Sequence, residues 1–210
     1  MKKPLSYRSL AREGRSDITV MKSRFLGYAA PTLTVEEAHA FLASVEQRHP
    51  DASALLYGYV CGLSGQYQKF EDSHEPSGGL AILEAVKRPG LIGVTAAVAR
   101  YWGGVKLGAS NLGRTFGRAA IEAIQDGQPC LFHPSLRVRL TADYGDTGRL
   151  DHYLSNSPHL RENTVYGERV EITLLLRKDR MEELEAALRD ITRGSGGLQT
   201  IEALYAPWPE

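Results

Sequence analysis

Between Leu91 and Gln125 the sequence passes through three regimes in quick succession, and this passage restricts the fold more than any other stretch. Leu91–Arg100 is rich in Val, Ile and Ala with a single Thr, the composition of a strand covered on both faces. Gly103, Gly104 and Gly108 then break the pattern. A helix predicted from about Ser110 to Gln125 follows, with Leu112, Phe116, Ala119, Ala120 and Ala123 on one face and Arg114 and Arg118 opposite. A central strand feeding a glycine loop and an amphipathic helix needs layers on both sides of a sheet, which points to an α+β protein.

Upstream, Tyr7–Leu10 and Ile18–Ala30 read as two strands around a turn containing Gly14. Thr34-Val35-Glu36-Glu37 is a capping box, and the helix it starts carries Ala38, Phe41, Leu42 and Val45 on one face before stopping at Pro50. Leu55–Cys61 reads as a buried strand, Gly62–Glu75 as a polar loop, and Pro76 as the first-turn proline of a helix reaching Lys87. Gly127, Pro129 and Pro134 mark a linker.

Beyond the linker the predicted order is strand (Leu136–Thr141), helix (Asp146–Leu154), two strands (Glu162–Tyr166 and Arg169–Leu176), helix (Asp179–Ile191, capped by Asp179) and strand (Leu198–Tyr205). This βαββαβ order is the ferredoxin-like pattern. Two domains are therefore expected, 1–132 and 133–210. Their charges differ in sign: residues 1–133 hold 15 Lys and Arg against 12 Asp and Glu, and residues 134–210 hold 10 against 13.

The formal net charge of zero gives no global pull toward nucleic acid or membrane. Two cysteines, Cys61 and Cys130, have no metal-ligand spacing and supply no disulfide framework. No apolar run approaches the roughly 18 residues a membrane span needs. No apolar core of a signal peptide follows Lys2 and Lys3, so the expected compartment is the cytoplasm. No metal or cofactor is expected, and the sequence carries no sign of an oligomeric state.

Two motifs carry possible chemistry. Arg100-Tyr101-Trp102-Gly103-Gly104-Val105-Lys106-Leu107-Gly108 sits at a strand–loop–helix junction, where glycines and a helix start expose amides to an anion. Gly103 and Gly108 share the glycine spacing of a P-loop, but Ala109 stands where that motif requires lysine, which argues against a nucleoside triphosphatase. Arg100, Trp102, Lys106, Arg114 and Arg118 are expected to line one face, cations around an aromatic ring. The competing reading makes the glycines a tight turn and packs Trp102 on the sheet. The second motif, Asp72, His74 and Glu75 within Glu71–Gly79, has groups suited to binding a metal or to acid–base work, against a solvated loop that caps a helix and lacks a second His or Cys at ligand spacing.

These residues resemble the YigZ/IMPACT family. Lys22-Ser23-Arg24-Phe25, Glu75-Pro76-Ser77-Gly78 and the Arg100–Gly108 run with Leu112 and Arg114 match its motifs in order, with Trp102 in place of the usual phenylalanine. The resemblance spans about residues 5–205. It implies a first domain similar to the second domain of a small-subunit ribosomal protein and a second similar to the ferredoxin-like end of elongation factor G. It implies a link to translation, with RNA, the ribosome or a translation factor as partner. It brings no established reaction. The chain departs from the family at Ala54 and Leu56, where histidine and cysteine are usual. It departs again at Asp72-Ser73-His74-Glu75, at a shortened step after Gly78, and at Ser110-Asn111, where a glycine pair is usual. A binding role is expected to transfer more readily than a catalytic one. The alternative is an enzyme on a phosphorylated small molecule, using loops 71–75 and 103–108.

Overall fold

The computed structural model describes residues 6–71 and 77–208. They form an α+β protein with two sheets and five helices. The chain divides into two compact units, one ending at Leu131 and one running Phe132–Trp208.

A short strand, β1 (Tyr7–Leu10), comes first in the chain and is not part of the sheet of the first unit, which has the order β2 (Gly14–Val20), β3 (Ser23–Pro31), β6 (Val94–Tyr101), β4 (Ala54–Cys61), β5 (Tyr67–Glu71). Neighbours within it are all antiparallel. Helix α1 (Val35–Arg48) covers one face, burying Ala38, Phe41, Leu42 and Val45 against Tyr59, Cys61 and Ala97. Helices α2 (Gly78–Lys87) and α3 (Ala109–Asp126) cover the other, where Phe25 meets Phe116 edge to face at 5.2 Å. β6 is buried along nearly its whole length because it lies in the middle of the sheet between both helix layers, as its composition predicts. The capping box forms: the Glu37 amide donates to Thr34 Oγ1 at 3.1 Å, and the Glu37 carboxylate accepts the Thr34 amide at 3.2 Å.

The first unit departs from the sequence reading in two places. The segment 18–30 is not one strand. It folds back as a hairpin at Met21 and Lys22, whose φ values of 47° and 65° are those of a type I′ turn. Gly14 lies within β2 rather than in a turn. The polar stretch 62–75 contains strand β5, paired with β4 from Cys61↔Tyr67 to Tyr57↔Glu71. As an exposed edge strand, β5 has no apolar face to announce it.

In the second unit the sheet order is β10 (Gly197–Trp208), β7 (Pro129–Ala142), β9 (Val170–Arg177), β8 (Leu160–Tyr166), the ferredoxin-like arrangement. Helices α4 (Thr147–Ser155) and α5 (Met181–Thr192) supply Leu150, Leu154, Leu184 and Leu188 to its core. The opposite face carries ion pairs, with Arg137 bridging Glu162 and Glu202, and Arg139 facing Glu171. The stretch read as a linker is strand from Pro129 onward. Asp179 does not cap α5. It pairs with Arg177 at 2.7 Å within a 3-10 turn that precedes the helix. No helix among the described residues is long and apolar enough to cross a membrane.

Candidate nucleic-acid interface

The glycine junction is assembled from three separate parts of the chain. At the end of β6, Arg100 lies between Phe25 on β3 and Ala54 on β4. Its guanidinium stands over the Phe25 ring, 5.6 Å from the centroid, and the residue is only 5% exposed. Tyr101 points to the α1 side, where its hydroxyl meets His49 Nδ1 at 2.9 Å while His49 Nε2 meets the Tyr28 hydroxyl at 2.7 Å. Burial, with the nearby cations Arg48 and Arg24, holds the His49 pKa below its ordinary value.

The chain then leaves the sheet under restraint. The Ser53 amide donates to the Arg100 carbonyl at 2.7 Å, and the Trp102 amide donates to Ser53 Oγ at 2.9 Å. The Gly103 amide donates to the buried Ser23 Oγ at 3.1 Å. A Cβ at Gly103 would stand 2.1 Å from the Lys22 carbonyl carbon and oxygen, so only glycine lets the loop lie against the β2–β3 hairpin. With the backbone held, the Trp102 ring projects outward, 57% exposed. The packed-on-the-sheet reading of Trp102 fails on that exposure.

Gly104 and Gly108 adopt φ of 83° and 75° and turn the chain into α3, which has no side-chain cap at its N-terminus. An open cleft of about 530 Å³ results, lined by Ser53, Arg100, Trp102, Lys106, Gly108 and Leu112 among others. It combines an aromatic platform, an exposed ammonium and the first amides of a helix, which is chemistry for an anion carrying a flat ring.

Of the residues singled out in the sequence, Arg100, Trp102, Lys106 and Gly108 line this cleft, and Gly103 and Gly104 form the loop that carries it. Arg100 belongs to the buried wall rather than the open face. Arg114 and Arg118 are exposed but line a different groove between α2 and α3, where Arg118 pairs with Glu122 at 2.8 Å. Asp72, His74 and Glu75 lie outside the described residues. Ser53, Ser23 and the Tyr28–His49–Tyr101 triad were not found from sequence, because their partners lie far along the chain. Ala54 and Leu56 are both core, and Leu56 packs so closely that a Cβ on Gly78 would stand 2.4 Å from its Cδ1. Among the described residues, no group of three His, Cys, Asp or Glu is placed to hold a metal, and burial raises the Cys61 thiol pKa to about 11.

A two-unit α+β protein with this junction has relatives. A family model for the Impact N-terminal domain matches residues 21–124, and one for a domain of unknown function, DUF1949, matches residues 140–195. IMPACT family member YvyE of Bacillus subtilis is 30% identical over 203 residues, covering 95% of this chain and 93% of that protein. IMPACT family member YigZ of Escherichia coli is 31% identical over 187 residues, covering 87% and 92%. A crystal structure described as that of a hypothetical protein aligns with a TM-score of 0.60 at 29% identity, over 95% of this chain and 98% of that one. The chain belongs to the IMPACT family, whose members are often linked to translation regulation.

Proposed function

We propose that the chain is a non-catalytic binding protein that takes single-stranded RNA, in the context of translation, through the Trp102–Lys106 cleft. The observation that carries this reading is the exposed Trp102 ring on a backbone held by Ser53 and Ser23, beside Lys106 and the start of α3. An aromatic ring left in water at the mouth of a cleft has no packing role to explain it. A base stacked there, with its phosphate on Lys106, would use both groups.

Family membership supports the link to translation, and the apolar side chains at Ala54 and Leu56 fit a binding role better than an enzymatic one. Filter binding of a mixed-sequence single-stranded RNA at low salt tests the reading. Saturable binding by wild type, weakened by Lys106→Glu without a change in melting temperature, is the expected result. Absence of binding by folded protein would end it.

A further inference from the structure

We propose that the groove between α2 and α3 is a docking site for an acidic amphipathic helix of a partner protein, separate from the Trp102 cleft. The two helices approach closely because α3 turns Gly113 toward Ser77 and Gly117 toward Ala81. A Cβ at these glycines would lie 3.3 Å and 3.4 Å from the nearest atom of Ser77 and Ala81. The small residues leave a trough of about 350 Å³ floored by Ala81, Ala85, Gly113 and Gly117. Ala85, Arg88 and Ile121 are shared with a second, apolar pocket of about 270 Å³ that continues to Pro89, Ile124 and Pro129. From Arg114 to Gln125 the α3 side of this groove runs about 16 Å at roughly 1.5 Å per residue, three helical turns.

Charge selects the occupant. Arg88, Arg114 and Arg118 rim the groove. Glu84 is paired with Lys87 and Glu122 with Arg118, whereas Arg88 and Arg114 have no acidic partner within 4.0 Å among the described residues. Ile121 is left partly exposed at the junction of the two pockets. A helix with apolar residues at i, i+3 or i+4, and i+7 fits such a trough, and flanking carboxylates would meet the unpaired arginines. Single-stranded nucleic acid suits it less, because the floor is aliphatic and no lining residue offers a ring on which a base could stack.

The test uses the full chain and a fluorescein-labelled peptide of roughly 14 residues, near the lower limit for a helix in water, with Leu on one face and Glu on its flanks. A scrambled peptide and one with Lys for Glu serve as controls. Anisotropy should show saturable binding of the Glu peptide alone, weakening as salt rises. Arg114→Glu should cost about tenfold or more in affinity with an unchanged melting temperature. Gly117→Leu, which fills the trough, should abolish binding, and Arg114→Glu keeps the test decisive if that variant does not fold. Single-stranded RNA should not displace the peptide. Equal binding of the scrambled or Lys peptide, indifference to Arg114→Glu, or no binding to folded wild type would overturn the proposal. Displacement by RNA would overturn it too, assigning the groove to nucleic acid.

Discussion

Ser53 and Trp102 are 49 residues apart in sequence, yet the Trp102 amide donates to Ser53 Oγ at 2.9 Å. That bond sits at the point where β6 leaves the sheet. It holds the backbone of an aromatic residue whose ring is left in solvent. A side chain held this way loses less freedom on meeting a flat ligand than one on a loose loop. Ser53→Ala is therefore expected to weaken RNA binding by about 0.5–1.5 kcal/mol, the typical contribution of one hydrogen bond. The melting temperature should move by only a few degrees, and isothermal titration beside a thermal melt checks both.

Gly103 and Gly104 are neighbours with different reasons to be glycine. Gly103→Ala drives a Cβ into the Lys22 carbonyl, and nothing there is a flexible side-chain end that can give way. Gly104→Ala meets open space and costs only the left-handed backbone, roughly 1–2 kcal/mol. The first substitution should destabilise by about 3 kcal/mol or more. Urea unfolding of the two variants should therefore rank Gly103→Ala well below Gly104→Ala, and equal midpoints would contradict the close approach.

The junction was legible because its three regimes differ so sharply: an apolar run, clustered glycines, then a helical period. The hairpin at Met21 and Lys22 was not legible, because neither residue is one that a type I′ turn favours. β5 was missed because YQKFE reads as polar loop when only an edge pairing organises it. Arg100 and Lys106 look alike in sequence, and only the sheet register separates them. Arg100 falls between two paired strands and over Phe25, while Lys106 falls past the last pair. Arg114 and Arg118 were legible as exposed, but which groove they border depends on how α2 packs against α3.

His159 gives the second unit a pH dependence. It is 8% exposed, and among the described residues neither ring nitrogen has a hydrogen-bond partner, nor does the nearby buried Tyr153 hydroxyl. Burial lowers its pKa, opposed by Glu183 and aided by Arg180. The unfolded chain takes up a proton near pH 6.5, while the folded chain resists it to lower pH. Stability should then be fully present above about 6.5 and should fall as pH drops below it. His49, shifted the same way, gives the first unit a dependence of the same sign. His159→Leu should flatten the fall in melting temperature between about pH 7 and 5. An unchanged slope would show that His159 does not titrate differently on folding.

The second unit should fold alone. It has its own core around Val138, Leu140, Ile172 and Leu174, and its last strand is tied back by the Trp208 indole donating to Ser135 Oγ at 2.9 Å. Expressed as residues 132–210, it is expected to give a dispersed amide spectrum and a single cooperative melt. A collapsed, undispersed spectrum would place the folding boundary elsewhere.

A base stacked on Trp102 would be reported by the chain's own fluorescence. It has two tryptophans, of which Trp102 is exposed and Trp208 is buried at 7%. Stacking should quench the exposed emission, so titration with single-stranded RNA reads the contact itself. The expected result is saturable quenching at low salt. If about one phosphate is neutralised, at the exposed Lys106, log affinity should fall against log salt with a slope near −0.7. Trp102→Ala should remove the quenching and cost about 1–3 kcal/mol in binding, with the melt unchanged because the ring is not core. RNA that binds folded protein without quenching Trp102, or with equal affinity after Trp102→Ala, would rule out a base stacked on this ring.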